Sequence, residues 1–358
     1  MKGNENPNRF LIVGMAPDGN DAVSAIMINL LRSASDRGIF GCVGCKSRNR
    51  QKINVPNIND FSVQDVFSGK RHLYLHIKNI LKIFHIKAPL LSSRYLYRKL
   101  LRLRHSYKRV IALSAGFAYT EAAYRYAKKY HIPLTVIWFD PFLLNPLIGN
   151  THYTQKKQEQ WLNYADKFLY NRDNSYTEAL THRAEPFDIP LYTDSTFTNN
   201  TDSTLIYGGR FYKEFRSPKA IFTLSEQICG TSMHIMCYAN LTRNVQKYSD
   251  TLTLLPCIPS FLFREECQKA KAIICIGNEN MAFQPSKYLE AIGMRKPIVG
   301  IHIPMQSELR KYPFFVDADE QDWIEKLNGI QPEEQESFDP YRLYPDRKPS
   351  LFLKQIFD

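Results

Sequence analysis

No apolar run in this 358-residue chain is long enough to cross a bilayer. Runs such as "KAIICIG" and "RVIALSAGFA" stop well short of the roughly 20 residues that a membrane-spanning helix needs. The opening "MKGNENPNRFLIVGM" also lacks the apolar core of a secretion signal, so the expected location is cytoplasmic. Seven cysteines, at positions 42, 45, 229, 237, 257, 267 and 275, are an odd number in a large chain without an export signal, which argues against a disulfide framework. Cys42 and Cys45 in "GCVGCK" have the spacing of half a zinc site, but no second Cys-x-x-Cys or paired histidines follow to complete four ligands, and no metal is expected. None of the nine histidines sits in a diagnostic motif; His302, after "PIVGIH", is the one expected at a ligand-facing strand end.

Acidic residues are missing altogether from Val66 to Thr120. Twelve of the 47 basic residues lie in that window, which leaves the rest of the chain neutral, with 35 residues of each sign. Within it, "RHLYLHIKNILKIFHI" and "RYLYRKLLRLRHSY" alternate basic with apolar and aromatic residues at near-helical spacing, so cationic amphipathic helices are expected. Such a surface suits an anionic membrane, through residues 70–109, or an acidic acceptor. It carries no recognisable nucleic-acid module, so no nucleic-acid partner is expected.

The rest reads as alternating strands and helices. "RFLIVGM", "KRVIALSAG", "IPLTVIWFD" and "KFLYNR" are short apolar runs separated by helical segments such as "AVSAIMINLLRSASDRG" and "AYTEAAYRYAKKYH". From Arg183 to Ser203 the composition turns to Pro, Asp, Asn, Ser and Thr, which marks a linker. Beyond it the alternation restarts with "STLIYGG", "SMHIMCYAN", "TLTLLPCI", "KAIICIG" and "KPIVGIH". The expected fold class is α/β, with two doubly wound Rossmann-like domains, 1–185 and 203–335, facing a central cleft, and a tail at 336–358 packing back on the first.

On the helix that follows Pro285, Leu289 and Ile292 share one face while Lys287 and Glu290 share nearly the opposite one. A lysine at a helix start is a place for a phosphate, and a carboxylate one turn on can accept the hydroxyls of a ribose. The plain alternative is a surface ion pair on a short helix. The run "QPSKYLEAIGMRKPIVG" resembles the donor-site segment of GT-B fold glycosyltransferases, in particular the family 4-like group, whose members carry a P-x-K-x-x-E-x-x-x-x-G-x-P-[IV] pattern. "STLIYGGRFYKEFRSPKAI" is similar to the strand, loop and helix that open that family's second domain, and "IPLTVIWFDPF" to a first-domain strand ending in His-Asp.

The resemblance implies that Glu290 binds the nucleotide ribose and that Lys287, Arg210 and Arg216 hold the diphosphate, with Lys213 as the alternative second cation of the loop. Ser286 and Glu279 belong to the same donor segment. Asp140 is the candidate general base on an acceptor hydroxyl, or else the cap of the turn before Pro141. Asp18 and Asp21, in "GMAPDGND", are weaker candidates. The implied activity is metal-independent transfer of a hexose from a nucleotide diphosphate sugar to a lipid-linked glycan in cell-surface polysaccharide synthesis, on a protein peripheral to the inner membrane face. The alternative is an inactive nucleotide-sugar binding scaffold, favoured by Ala282 and Phe139, which stand where the family has a second glutamate and a histidine.

Overall fold

The computed structural model describes residues 8–15, 22–46, 57–61, 63–64, 88–103, 107–113, 117–139, 152–172, 184–193, 197, 203–211, 216–277, 287–305 and 307–358. The chain divides into two compact units: Met1–Asp188 with Phe352–Asp358, and Ile189–Leu351. Among the described residues no helix is long and apolar enough to cross a membrane.

The first unit holds β1 (Arg9–Val13), β2 (Ile39–Val43), β3 (Cys45–Lys46), β4 (Ile58–Asp60), β5 (Val63–Gln64), β6 (Arg109–Leu113), β7 (Leu134–Trp138), β8 (Lys167–Asn171) and β9 (Glu185–Phe187). Seven of these form one sheet in the order β4-β2-β1-β6-β7-β8-β9, parallel throughout, while β3 and β5 pair separately. Every residue of β7 is buried, as a strand covered by helices on both faces requires. The helices Ala22–Ser33, Phe117–Tyr130 and His152–Tyr164 occupy the crossovers that the periodicity assigns to helices.

Of the acid-free window, "RYLYRKL" lies in the helix Ala88–Leu100, while "RHLYLHIKNILKIFHI" falls outside the described residues. Ser93, Leu96 and Leu100 are buried, and Arg94, Arg98 and Arg102 are exposed at four-residue spacing. Burial thus follows the amphipathic pattern, and one cationic stripe faces water.

A buried carboxylate knits the neighbouring helices. Glu121, with no exposed surface, accepts hydrogen bonds from Arg125 Nε at 2.7 Å, Lys157 Nζ at 3.0 Å and Trp161 Nε1 at 2.9 Å. Three donors on two helices offset the cost of removing this charge from water.

The last residues of the chain complete this unit. Phe352 stacks on Phe187 with ring centres 4.6 Å apart, Phe357 meets Phe10 edge-on at 4.9 Å, and Arg37 Nη1 pairs with Asp358 Oδ1 at 2.6 Å. Of the stretch 336–358 expected as a tail, the residues up to Leu351 belong to the second unit, where Tyr341 Oη donates to the Leu191 carbonyl at 2.8 Å and Arg347 to that of Ile189 at 3.2 Å.

The second unit holds β10 (Thr204–Gly209), β11 (His234–Ala239), β12 (Gln246–Lys247), β13 (Leu252–Pro256), β14 (Ala272–Ile276), β15 (Ile298–Ile301) and β16 (Phe315–Asp317). Their order is β12-β13-β11-β10-β14-β15-β16, parallel except for the edge strand β12. From β10 the chain winds first toward β11 and β13, then crosses to β14, so the strand order reverses beside β10. That reversal is the switch point at which such sheets bind ligands.

Lys296, just before β15, is 3% exposed and donates to the Ala270 carbonyl at 3.0 Å. Burial lowers its pKa from 10.5 to about 8. Between these values the folded protein binds fewer protons than the unfolded chain, so this residue's contribution to stability rises with pH; the penalty is fully present below pH 8. Between pH 7.5 and 9.5 the stability of the wild type relative to Lys296→Met should therefore improve by about 2 kcal/mol in urea denaturation. A pH-independent difference would show that this lysine keeps an ordinary pKa.

Candidate functional site

Carboxyl-terminal strand ends in the second unit bring most of the described candidates together. Arg210 follows β10 directly and is exposed; Arg216 begins the segment leading to the helix Lys219–Gln227 and is half-buried. Lys287 and Glu290 lie on the helix Lys287–Gly293 after β14, each with 26% of its side chain exposed, while Tyr288, Leu289, Ala291 and Ile292 are buried. The apolar face therefore packs inward and the charged pair is turned out.

The loop after β10 is pinned from β11. Asn240 Oδ1 accepts the Phe211 backbone N–H at 2.7 Å, and its Nδ2 donates to the Phe211 carbonyl at 3.1 Å. This double bond holds the peptide beside Arg210, and Tyr207 stacks on Phe211 at 4.9 Å. Burial raises the Tyr207 hydroxyl pKa, and the guanidinium of Arg216 beside it works in the other direction.

Two cysteine thiols lie within the field of these charges. The Cys257 thiol, immediately after β13, is raised by burial and lowered by both Arg210 and Lys287. Burial also raises Cys275, at the end of β14, to about 12, with Arg216 and Lys287 lowering it and Glu290 raising it. Lys287 thus acts with Arg210 on Cys257 after β13, and with Arg216 and Glu290 on Cys275 in β14.

Lys287 is held from below. Its Nζ lies 4.1 Å from the centre of the Phe263 ring, on the helix Ser260–Lys269, and 3.6 Å from Glu290 Oε2. The ring can take this place because position 208 has no side chain: a Cβ on Gly208 would fall 2.2 Å from Phe263 Cζ. Tyr238 braces the ring from the other side, edge-on at 5.9 Å. Glu290 Oε2 is buried and, apart from this ion pair with Lys287, makes no hydrogen bond among the described residues.

Behind the charged face the helix ends at Arg295, whose φ of 58° lies in the left-handed region. Arg295 N–H donates to the Ile292 carbonyl at 3.0 Å and Lys296 N–H to that of Ala291 at 2.9 Å, a Schellman ending. The pattern that this run resembles has glycine at this place, where the conformation is free of strain. Here an arginine takes it and anchors outward, its Nη1 donating to the Glu336 carbonyl at 3.0 Å.

Asp18, Asp21, Asp140, Lys213, Glu279, Ala282 and Ser286 lie outside the described residues. Phe139 is buried, edge-on to Phe187 at 5.3 Å and to Phe352 at 6.4 Å. Its ring belongs to an aromatic cluster of the first unit. Asn240 ends the strand-end stretch "CYAN", while Phe263 lies in no strand-end stretch that the sequence marks out. Each acts through a contact between segments distant in sequence, and only the glycine pair "GG" before Arg210 signals that something approaches β10 closely.

No protein-family model matches the chain, and no curated protein matches it in sequence. Solved structures do match in fold. The chain is similar to Anabaena HepE in complex with UDP and glucose, at 11% identity over 98% of both chains with a TM-score of 0.57. An α-glucosyltransferase in complex with UDP and a 13-mer DNA matches at 13% identity over 97% of this chain and 95% of the other, with a TM-score of 0.55. The UDP-GlcNAc 2-epimerase of Methanocaldococcus jannaschii matches at 10% identity over 98% and 99%, with a TM-score of 0.53.

Replacing Gly208 with Ala should force Phe263 off the strand, lowering stability by about 1–3 kcal/mol. Phe263→Leu in the same protein should recover part of that loss, because the two positions are in contact. Additive effects in a double-mutant cycle would disprove the contact.

Two doubly wound, parallel-dominated sheets in one chain, matched along nearly its whole length by these structures, make this a GT-B fold.

Proposed function

We propose that the protein is a glycosyltransferase that moves a hexose from a nucleotide diphosphate sugar. The observation that carries this reading is the gathering of Arg210, Arg216 and Lys287 with Glu290 at the ligand-binding end of the second sheet. Three cations can stabilise the charge that grows on a nucleotide diphosphate as the sugar–phosphate bond breaks, so the reaction proposed is metal-independent. Glu290, whose Oε2 has no hydrogen-bond donor among the described residues, is assigned to the ribose hydroxyls. Ser286 and Glu279 complete the donor segment, and Asp140, next after the buried Phe139, is assigned as general base toward the acceptor.

The proposed acceptor is a lipid-linked glycan of cell-surface polysaccharide synthesis. The stripe of Arg94, Arg98 and Arg102 supports this, since exposed cations spaced along one helix face suit anionic headgroups. The HepE structure holds UDP and glucose, and the α-glucosyltransferase holds UDP, which supports a uridine nucleotide as the first donor to try.

A thermal-shift screen against UDP, GDP, CDP, dTDP and ADP tests the donor site. One nucleotide should raise the melting temperature of the wild type and leave Glu290→Ala unmoved, since a ligand that binds only the folded state stabilises it. Equal shifts in both proteins, or none in either, would sink the assignment. Sedimentation with phosphatidylglycerol vesicles tests the membrane face. Binding should weaken with salt and fall at least tenfold when Arg94, Arg98 and Arg102 are all replaced by Ala, at about 1 kcal/mol per charge. Equal binding to neutral vesicles would sink that part.

A further inference from the structure

We propose that the second unit carries another small-molecule site, in the cavity between the helix Lys219–Gln227 and the residues that follow β15 and β16, and that it takes a phosphorylated sugar. The cavity measures about 540 Å³, within the range of small-molecule sites. Lys219, Thr223 and Gln227, four residues apart, form a polar stripe along one side. His302 and Asp319 form the other, over a floor that includes Leu224 and Ile301.

His302 is built into this wall with unusual care. Its φ of 54° lies in the left-handed region, which residues other than glycine adopt infrequently. Asp319 Oδ2 accepts the His302 backbone N–H at 3.2 Å and lies 3.6 Å from ring Nδ1. On the other side Gly277 lies against the same peptide, where a Cβ would come within 2.1 Å of the His302 carbonyl oxygen. The Asp319 carboxylate and the bare backbone of Gly277 thus fix the His302 peptide at the cavity wall, from which its half-exposed imidazole projects.

The lining selects the ligand. The Asp319 carboxylate is engaged by His302, whereas Lys219 has no ion-pair partner among the described residues and stands at the positive start of its helix. That end suits a phosphate. Thr223 and Gln227 both donate and accept, as hydroxyls require, and the apolar floor suits the C–H face of a sugar ring. Lys287 and Glu290 do not line this cavity, so the inference stands apart from the donor-site reading.

Calorimetric titration with glucose 6-phosphate, glucose and inorganic phosphate tests it. His302→Gly removes the imidazole while keeping a backbone at ease with positive φ, and Lys219→Ala changes an exposed helix position, so both variants should fold. Glucose 6-phosphate should bind the wild type and Glu290→Ala equally, and at least tenfold more weakly to Lys219→Ala and His302→Gly. Glucose and inorganic phosphate should each bind more weakly than the sugar phosphate. Absence of binding to the wild type, loss of binding in Glu290→Ala rather than in Lys219→Ala, or inorganic phosphate binding as tightly as glucose 6-phosphate would each overturn the proposal.

Discussion

The seating of Phe263 on the bare backbone of Gly208 is the contact on which the charged region of the second unit depends. A parallel strand ending in glycine leaves room above it, and the aromatic ring of a neighbouring helix fills that room. The same ring presents its face to Lys287, and a cation over an aromatic face is held by about 0.5–2 kcal/mol. Lys287 in turn stands beside Glu290; it acts on Cys257 together with Arg210, and both Lys287 and Glu290 act on the buried Cys275 together with Arg216. One packing contact thus orders a lysine that would otherwise sample several rotamers, and an ordered charge is worth more to a ligand than a mobile one.

The first unit handles charge in two opposite ways. Glu121 is taken out of water and satisfied by three donors, so it ties helices together. Arg94, Arg98 and Arg102 are left in water with no acidic residue nearby in the chain. Net charge alone does not distinguish these cases. What does is whether the helix that carries the charge turns that face toward the sheet or away from it.

The GT-B fold by itself does not select a reaction. A protein named as an α-glucosyltransferase and one named as a UDP-GlcNAc 2-epimerase both match this chain over nearly its full length, at 13% and 10% identity. Chemistry on such a scaffold is decided by the residues at the strand ends. Arg210, Lys287 and Glu290 therefore carry the functional reading here, and the architecture only brings them within reach of one another.

Much of this was legible in the residues. Short apolar runs alternating with amphipathic stretches can be satisfied by parallel strands under helices, because local periodicity and burial on two faces are properties of neighbours in sequence. β1, β6, β7, β10, β14 and β15 fall where those runs lie, and the helix Lys287–Gly293 turns its faces as its spacing dictates. β9 and β16 carried no such signal, being three-residue strands whose pairing supplies what their sequence does not. The same holds for the ring beneath Lys287, the Asn240 brace, the donors around Glu121 and the left-handed backbone of His302. Each joins segments that are far apart in the chain and adjacent only after folding. Sequence alone determined the elements and the charge each one carries; which of those charges meet was decided by tertiary structure, because contact between distant residues depends on packing rather than on spacing.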